Sequence, residues 1–354
     1  MESLPTATVA AEFRPVTTYL NTASTGLPPA RTVAALRAAV ESVAEGHPMD
    51  MFADVEAARA AFARLTGVPV RRVAAGASVA VYGGLVAASL PPGADVLTAQ
   101  DDFSSTVNPF HARGDLSVRA VPLPRIADEV REDTALVAVS AVQSADGRVA
   151  DLPALRAAAR AHGARVFLDT SQATGWLPYD ADDYDYVACV GYKWLLCPRG
   201  VAFFVVPEDL GPLTPLFAGW VAGEHPWDSC YGPVRELARS ARRYDESPAL
   251  FSYTGARHSL ALIEELGGPA AVGAHDVALA DRFRAGVRRL GHPLLPAPGS
   301  PVVSVPGLGE SRPKLAEAGI VVSNRAGSLR AAFHVHNTQA DVDALLDALP
   351  PAGD

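Results

Sequence analysis

Lysine is almost absent from this 354-residue chain, which contains only Lys193 and Lys314 among its 30 basic side chains. Lys314 lies in the polar stretch ESRPKLAEAG, as an ordinary surface residue does. Lys193 lies instead in the apolar run YVACVGYKWLLCP, which is an unusual place for a lysine that is merely solvated. The shortage of lysine therefore marks Lys193 as a candidate functional group.

Cysteines, long apolar runs and basic clusters are scarce as well. The cysteines Cys189, Cys197 and Cys230 are too few and too irregularly spaced for a disulfide framework or a zinc site. No uninterrupted run of about 18 apolar residues occurs, and the N-terminus lacks the pattern of a signal peptide. A formal net charge of −9 argues against nucleic acids and anionic membranes as partners. We expect a cytoplasmic protein without a metal, membrane or nucleic-acid partner.

Short apolar runs alternate with helical segments along most of the chain, a pattern typical of βαβ units and a largely parallel sheet. The candidate strands of this part are Val73–Ala75, Asp95–Thr98, Leu136–Ser140, Arg165–Leu168, Tyr186–Val190 and Val201–Val206. Candidate helices cover 30–45, 54–66, 79–90 and 152–162. After Pro248 come helices at 255–266 and about 270–290, strands near 302–305, 319–322 and 329–335, and a closing helix near 339–349. We predict a large α/β domain over 15–280 and a small α+β domain over 281–354, with segment 1–14 packed on the small domain.

Two charged residues follow neighbouring candidate strands. Asp169 ends the apolar run ARVFLD, and Lys193 follows the next strand in DYDYVACVGYK. Because the carboxyl ends of parallel strands line the ligand crevice of an open sheet, both side chains can reach one small ligand. Such an acid and lysine suit pyridoxal 5′-phosphate (PLP), which needs a lysine for a Schiff base and an acid at its pyridine nitrogen. A structural aspartate and a snorkelling lysine remain an alternative.

Ser78 lies between a candidate strand and a candidate helix. The free amides of such a helix start suit a phosphate, although Ser78 also fits an ordinary N-cap. A third interpretation is a serine hydrolase, because the run from Gly76 resembles G-x-S-x-G and Asp169 with His334 or His336 could complete a triad. The two histidines alternate on one strand, but without a third ligand nearby a structural role is favoured over metal binding.

The motifs FLDTSQATG, GYKWLLCPRG and LRAAFHVHNT, in this order, resemble the class V aminotransferase family, which includes cysteine desulfurases and isopenicillin-N-epimerase-like proteins. The resemblance extends from YLNTASTGLPP at residues 19–29 to HNTQADVDALLDAL at 336–349. It implies a fold-type-I PLP-dependent transferase, with a mostly parallel seven-stranded sheet flanked by helices in the large domain. It also implies a homodimer with shared active sites.

The resemblance assigns a role to each matching position. Lys193 would be the Schiff-base lysine, Asp169 would pair with the pyridine nitrogen, and Gln172 would bind the ring hydroxyl. The phosphate would be held by Ser78 and the amide of Val79, with Tyr192 beside it. Phe103 would stack on the ring, and Thr254 would reach the phosphate of the partner subunit. The substrate would meet Arg330, which binds its α-carboxylate, and Asn21 in the pocket wall.

The chain departs from the family pattern at two positions, and these departures limit the reactions that we expect of it. Desulfurases carry a nucleophilic cysteine on the loop before the carboxylate-binding arginine, whereas the loop VVSNRAGSLR contains none. Phe103 replaces a histidine and cannot exchange protons, which leaves Lys193 as the evident acid–base group. We expect an enzyme acting at Cα of an amino acid by transamination or by β-elimination of the carbon–sulfur lyase type. An epimerase or racemase, and a PLP-binding protein without catalysis, remain alternatives.

Overall fold

The computed structural model describes residues 4–352, in which α-helices and β-strands alternate over most of the chain. The helices are α1 (Thr6–Glu12), α2 (Ala30–Ala44), α3 (Ala53–Thr66), α4 (Val79–Ala88), α5 (Ser104–Ala112), α6 (Leu152–His162), α7 (Leu250–Glu265), α8 (Gly268–Arg289), α9 (Arg312–Glu317) and α10 (Gln339–Ala348). The strands are β1 (Thr18–Tyr19), β2 (Val73–Gly76), β3 (Asp95–Ala99), β4 (Ser117–Val121), β5 (Thr134–Ser140), β6 (Arg165–Asp169), β7 (Tyr186–Val190), β8 (Ala202–Val205), β9 (Val302–Val305), β10 (Ile320–Val321), β11 (Ser323–Arg325) and β12 (Ser328–Ala332). None of the helices in the described range combines the length and the hydropathy that a membrane span requires.

The main sheet has seven strands in the order β2-β8-β7-β6-β5-β3-β4. Its strands are parallel except β8, which runs antiparallel to both β2 and β7. The predicted mostly parallel seven-stranded sheet is therefore confirmed. Alternate residues of its strands enter two separate apolar clusters, as Leu168 and Phe167 of β6 do. Both faces of the sheet are covered, which explains why its strands are continuous apolar runs rather than alternating ones.

The tail forms two smaller sheets. Strands β11, β12 and β9 make an antiparallel sheet, and β10 pairs in parallel with β1 from the start of the chain. The N-terminal segment then continues past Asn21, which bridges to Ala332, and reaches Gly26, whose amide donates to the carbonyl of Tyr192. This segment connects the small sheets to the loop that carries Lys193.

The sequence patterns do not predict several elements of the structure correctly. Helix α5 has the sequence SSTVNPFHA, in which serine, threonine and an internal Pro109 are poor helix formers. Strand β4 is the outer strand of the main sheet and alternates between exposed and half-buried residues, including Arg119. Helix α7 begins at Leu250, five residues before the predicted start at 255. Tertiary contacts decide these elements where local propensity is weak.

Strand order places the predicted acid and lysine together. Strands β6 and β7 are adjacent and parallel, with Asp169 in register with Ala188. The chain leaves β7 at Val190, so Lys193 follows within three residues of the same sheet edge. Strand β2 ends at this edge too, two residues before the start of α4. The carboxyl edge of the sheet therefore gathers the predicted functional groups.

A buried ion pair stabilises the main sheet beside β2. The Arg59 guanidinium lies 2.6 Å from Asp245, and both side chains are almost fully buried. Arg59 also donates to the carbonyl of Val73, and Asp245 accepts from the amide of Ala75. The pair thereby joins α3 and the 241–246 turn to β2, the strand that leads to Ser78.

We expect Asp245→Asn to lower the free energy of unfolding by about 3 kcal/mol, because it leaves the buried Arg59 charge with only the half-exposed Glu56 as a counter-charge. Denaturant unfolding followed by tryptophan fluorescence measures the change. Glu264→Gln is the matched control, since it breaks the exposed pair with Arg64 and should cost less than about 1 kcal/mol. Equal effects of the two substitutions would contradict the structural role of the buried pair.

Candidate active site

The segment that carries Lys193 is a tight turn held on both sides. The amide of Cys197 donates to the carbonyl of Gly191, and Leu196 adopts a left-handed conformation with φ 58°. This conformation is strained for a branched side chain, and burial of Leu196 in the core maintains it. Gly26 lies so close that a Cβ atom there would come within 2.1 Å of the carbonyl oxygen of Lys193. The backbone position of the lysine is therefore fixed.

The amine of Lys193 lies in an apolar, cationic environment. Its side chain is 5% exposed, and Nζ lies 5.2 Å from the ring centre of Phe103 and 5.9 Å from that of Tyr192. Burial lowers the pKa of Lys193 to about 8, Asp169 acts in the opposite direction, and the guanidinium of Arg330 lowers it further. A substantial fraction of this amine is neutral near physiological pH and can act as a nucleophile or base.

Asp169 is held by two donors. Its Oδ1 accepts from the amide of Ser171 at 2.8 Å, and its Oδ2 accepts from the Thr106 hydroxyl at 2.6 Å. Thr106 is fully buried and also contacts the Ser140 hydroxyl at 3.2 Å. Asp169 is therefore an oriented acid whose side chain faces the lysine.

A cavity of about 190 Å³ lies between these groups. It brings together six of the predicted residues, namely Ser78, Val79, Phe103, Asp169, Tyr192 and Lys193. The hydroxyl of Ser78 makes no capping bond, although Ser78 occupies the N-cap position of α4. The free amides of the first turn give this end of the cavity a partial positive charge. Such an end suits an anionic group better than the simple N-cap interpretation does.

Next to the cavity is a group of hydrogen-bonded side chains that contains three predicted site residues, Gln172, Arg330 and Asn21. Gln172 donates to the Ser144 hydroxyl at 3.1 Å, and Arg330 donates to the carbonyl and hydroxyl oxygens of the same serine. Asn21 accepts from Ser323, which lies opposite Arg330 in the β11–β12 pair. Burial and the nearby Arg325 lower the pKa of Arg330 to about 9, and its Nε has no protein partner within residues 4–352. Arg330 thus retains a buried donor for an anionic ligand.

Thr254 is the one predicted site residue that lies away from this region. It is on α7, and its hydroxyl donates its proton to Asp54 at 2.6 Å. The contact with the phosphate of a partner subunit stays a prediction, and it would require Thr254 to release Asp54.

The geometry is wrong for a serine hydrolase. Both ring nitrogens of His334 are engaged, one with Asp276 at 2.7 Å and the other with the carbonyl of Trp194 at 3.0 Å. His336 is buried and bonded to the carbonyl of Tyr19. Neither histidine lines the cavity of Ser78, so the triad has no base. Across residues 4–352, the side chains form no cluster of three or more potential metal ligands.

Buried thiols do not add a nucleophile. Cys189 and Cys197 are buried, and burial raises the pKa of Cys189 to about 12 and that of Cys197 well above its ordinary value. Thiols of this kind stay protonated and unreactive. Lys193 therefore lines the cavity without a reactive thiol from Cys189 or Cys197 beside it.

Sequence reasoning missed three residues of this region. Thr106 orients Asp169, and Trp194 donates from its indole to Gln172 at 2.8 Å. Arg199 lines the cavity with its guanidinium 4.2 Å above the ring of Tyr192. Thr106 lies one helical turn after Phe103, and the other two are inside the motif GYKWLLCPRG, but only the fold shows what they contact.

Comparison with known proteins identifies relatives of this chain. A family profile described as Aminotransferase class-V matches residues 18–305. An uncharacterized aminotransferase, YcbU of Bacillus subtilis, is 30% identical over 225 residues, which cover 60% of this chain and 59% of YcbU. Isopenicillin N epimerase of Streptomyces clavuligerus is 31% identical over 183 residues, which cover 46% of each chain. The chain thus spans well under two thirds of the length of these relatives.

Solved structures establish the fold. The cystine C-S lyase C-DES, in complex with cysteine persulfide, matches with a TM-score of 0.84 at 22% identity, over 94% of this chain and 97% of that chain. In another C-DES structure, which matches with the same TM-score and identity over 94% of this chain and 96% of that chain, glycine is covalently linked to the PLP cofactor. The fold of this chain is therefore the fold-type-I architecture.

The depressed pKa of Lys193 predicts a distinct labelling profile. After removal of small molecules by dialysis, acylation of Lys193 should rise with a midpoint near pH 8, because burial favours the neutral amine. Lys314 is exposed and is the internal control for the reaction of the reagent with a solvated amine. Asp169→Asn should move the Lys193 midpoint to lower pH, since it removes the anion that stabilises the ammonium form. Peptide mass spectrometry distinguishes the two lysines, and coincident profiles would contradict the electrostatic assignment.

Proposed function

The chain belongs to the aminotransferase class-V family, and from this premise we propose that it is a PLP-dependent enzyme acting at Cα of an amino acid. One observation carries the proposal. A buried amine and an oriented carboxylate, Lys193 and Asp169, face one cavity whose far end is the open N-terminus of α4. An amine, an acid and an anion-binding end are the three groups that a pyridine aldehyde phosphate requires.

The polar groups that lack protein partners fit the same cofactor. The Ser78 hydroxyl and the first amides of α4, including that of Val79, are open to a phosphate. The exposed face of Phe103, at 42% exposure, offers an aromatic surface for a ring. Tyr192 and the guanidinium of Arg199 add polar and cationic groups to the wall. In their present positions, these hydroxyl, amide, aromatic and cationic groups therefore match the phosphate and the ring of PLP.

Each protein group then has a chemical task. When bound, PLP supplies an aromatic system that accepts the electrons left at Cα after a proton is removed. Lys193 holds the cofactor and moves the proton at Cα, for which its lowered pKa is suited. Asp169 keeps the pyridine nitrogen protonated, and Thr106 and Ser171 keep Asp169 oriented for this role. Gln172 faces the ring hydroxyl.

The substrate binds on the side of the small sheets. Arg330 takes the α-carboxylate with its buried guanidinium, whose Nε has no protein partner in the described range. Asn21 forms part of the same wall through its bond with Ser323. Both residues come from segments outside the main sheet, since Arg330 lies on β12 and Asn21 bridges to Ala332.

The cavity favours reactions that need a single base. Lys193 is the amine in its lining, and Phe103, across from it, cannot carry a proton. Transamination and β-elimination use one base at Cα, whereas epimerisation by a two-base route needs a second one. The name of the related isopenicillin N epimerase keeps epimerisation as the alternative.

We propose further that the functional unit is a homodimer in a reducing, cytoplasmic setting. Three large exposed apolar side chains, Val43, Trp227 and Phe251, line one surface cavity and form an apolar patch. Trp227 is 65% exposed and packs edge-on against Phe52 and at a tilt against Trp220 in an aromatic cluster. An apolar patch of this kind marks a protein interface, and a second copy of the chain is the occupant that the proposal names. Free thiols at Cys189, Cys197 and Cys230 fit a reducing compartment.

Reduction with borohydride after incubation with PLP should attach the cofactor to Lys193. Because Lys193 is buried beside Asp169 and Lys314 is exposed, peptide mass spectrometry should find the added mass on Lys193. Lys193→Ala is the control and should stay unmodified and colourless. A native protein that remains colourless and unmodified in PLP would overturn the proposed function.

Product analysis separates the reaction classes. With a panel of amino acids, transamination should consume a keto-acid acceptor, whereas β-elimination from a β-substituted alanine should release the β-substituent, ammonia and pyruvate without an acceptor. Asp169→Asn should lower kcat at least about 100-fold with a smaller effect on KM, because the charge that Asp169 stabilises develops in the transition state. Exchange of the Cα proton with inversion and no other product would establish the epimerase alternative.

The dimer is tested by sedimentation of the native protein. We expect a mass of twice 36.9 kDa, and Trp227→Asp should shift the equilibrium towards the monomer, because it places a charge in the apolar patch. Val16→Asp is the control, since it adds the same charge at a fully exposed apolar residue outside the patch. A native protein that sediments as a monomer at micromolar concentration would contradict the dimer.

A further inference from the structure

The carboxamide of Gln172 is held in one orientation by two hydrogen bonds, one from a group that can only donate and one to a group that can only accept. The indole N–H of Trp194 donates to Oε1 at 2.8 Å, and Nε2 donates to the carbonyl of Ala23 at 2.8 Å. An indole N–H can only donate and a carbonyl oxygen can only accept, so the amide cannot turn over without losing both bonds. The other Nε2 hydrogen points to the Ser144 hydroxyl, which can rotate and can be replaced by another acceptor. Gln172 therefore has one N–H donor that is available to a ligand in place of Ser144.

Trp194 is itself fixed from several sides. Its side chain is fully buried, with the His334 ring edge-on at 5.2 Å and the Trp176 ring at 5.9 Å. Its carbonyl accepts from His334 Nε2 at 3.0 Å. Gly175 packs against the same carbonyl, where a Cβ atom would come within 2.8 Å of the oxygen. Because Trp194 directly follows Lys193, one rigid turn positions both the amine and the indole.

A neutral pair supports this turn from the outer side. Since the carbonyl of Trp194 only accepts, His334 must carry its proton on Nε2, and one further proton lies between Nδ1 and Asp276. Burial lowers the pKa of His334 to about 3 and raises that of Asp276, which puts this proton on the acid. The second carboxyl oxygen of Asp276 has no hydrogen-bond partner among residues 4–352, a state that a neutral acid tolerates better than an anion does.

We propose that Trp194 is a positioning residue, which fixes the Gln172 carboxamide so that its N–H faces the ring hydroxyl of the cofactor. The inference rests on the proposed function, because it concerns that same cofactor. A donor at this place stabilises the deprotonated ring oxygen and lowers the pH at which the ring hydroxyl loses its proton. Asp276 and His334 hold the backbone of Trp194, and through it they link α8 and the end of the small sheet to the cofactor.

The test is an absorbance–pH titration of the PLP-loaded protein. Trp194→Phe keeps the buried ring but removes the N–H, so the spectral transition should move about one unit to higher pH, equivalent to a tenfold weaker preference for the deprotonated oxygen. Trp176→Phe is the matched control, because that indole is equally buried and donates at 2.6 Å to the backbone carbonyl of Gln172 rather than to its side chain. Its transition should coincide with that of the native protein.

A double substitution shows whether Trp194 acts through Gln172. Gln172→Leu should shift the transition by itself, and adding Trp194→Phe should cause no further shift, because the amide that Trp194 orients is gone. Additive shifts, or a Trp194→Phe protein that titrates like the native one while binding PLP, would overturn the inference and leave the proposed function standing. A native protein that fails to bind PLP would overturn both. Thermal unfolding of each variant identifies any loss of folding.

Discussion

The parallel pairing of β6 with β7 is the constraint on which the rest of the site depends. It places the carboxylate that ends one strand and the amine that follows the next at the same edge of the sheet, with Asp169 in register with Ala188. Burying either charge alone would cost free energy, since a buried charge loses its hydration. Two hydrogen bonds to Asp169 reduce this cost, and burial also lowers the pKa of Lys193 to about 8, which favours the neutral amine. The strand order thus places the amine beside the carboxylate, and burial of the amine lowers its pKa despite that carboxylate.

The loop after β7 converts this placement into a rigid site. Gly26 closes on the carbonyl of Lys193 from one side, Gly175 closes on that of Trp194 from the other, and Leu196 accepts a left-handed backbone to complete the turn. Glycine is required at 26 and 175 because no side chain fits at these distances. The N-terminal segment that contains Gly26 is also a partner of the small sheets, through β1 and Asn21. The lysine is consequently connected to the wall that carries Arg330.

Much of this could be predicted from sequence, because the signals were local. Apolar runs of five residues gave the interior strands of the main sheet, and the shortage of lysine singled out Lys193. The motif FLDTSQATG likewise pointed to Asp169 and Gln172. The contacts of Thr106 and Trp194 could not be predicted, although both residues lie in or near the motifs. Thr106 meets an acid 63 positions away, and Trp194 meets an amide 22 positions away, so each pairing depends on how two turns pack. Helix α5 and strand β4 were missed for a related reason, since their own sequences favour neither structure strongly.

A crystal structure of the protein grown with PLP would show whether one cavity holds the cofactor between Lys193, Asp169 and the start of α4. We expect continuous density from Lys193 Nζ into a pyridine ring, with the ring nitrogen at Asp169 and the phosphate at Ser78 and the amide of Val79. Density for the cofactor at any other place on the chain, or a phosphate bound away from α4, would contradict it.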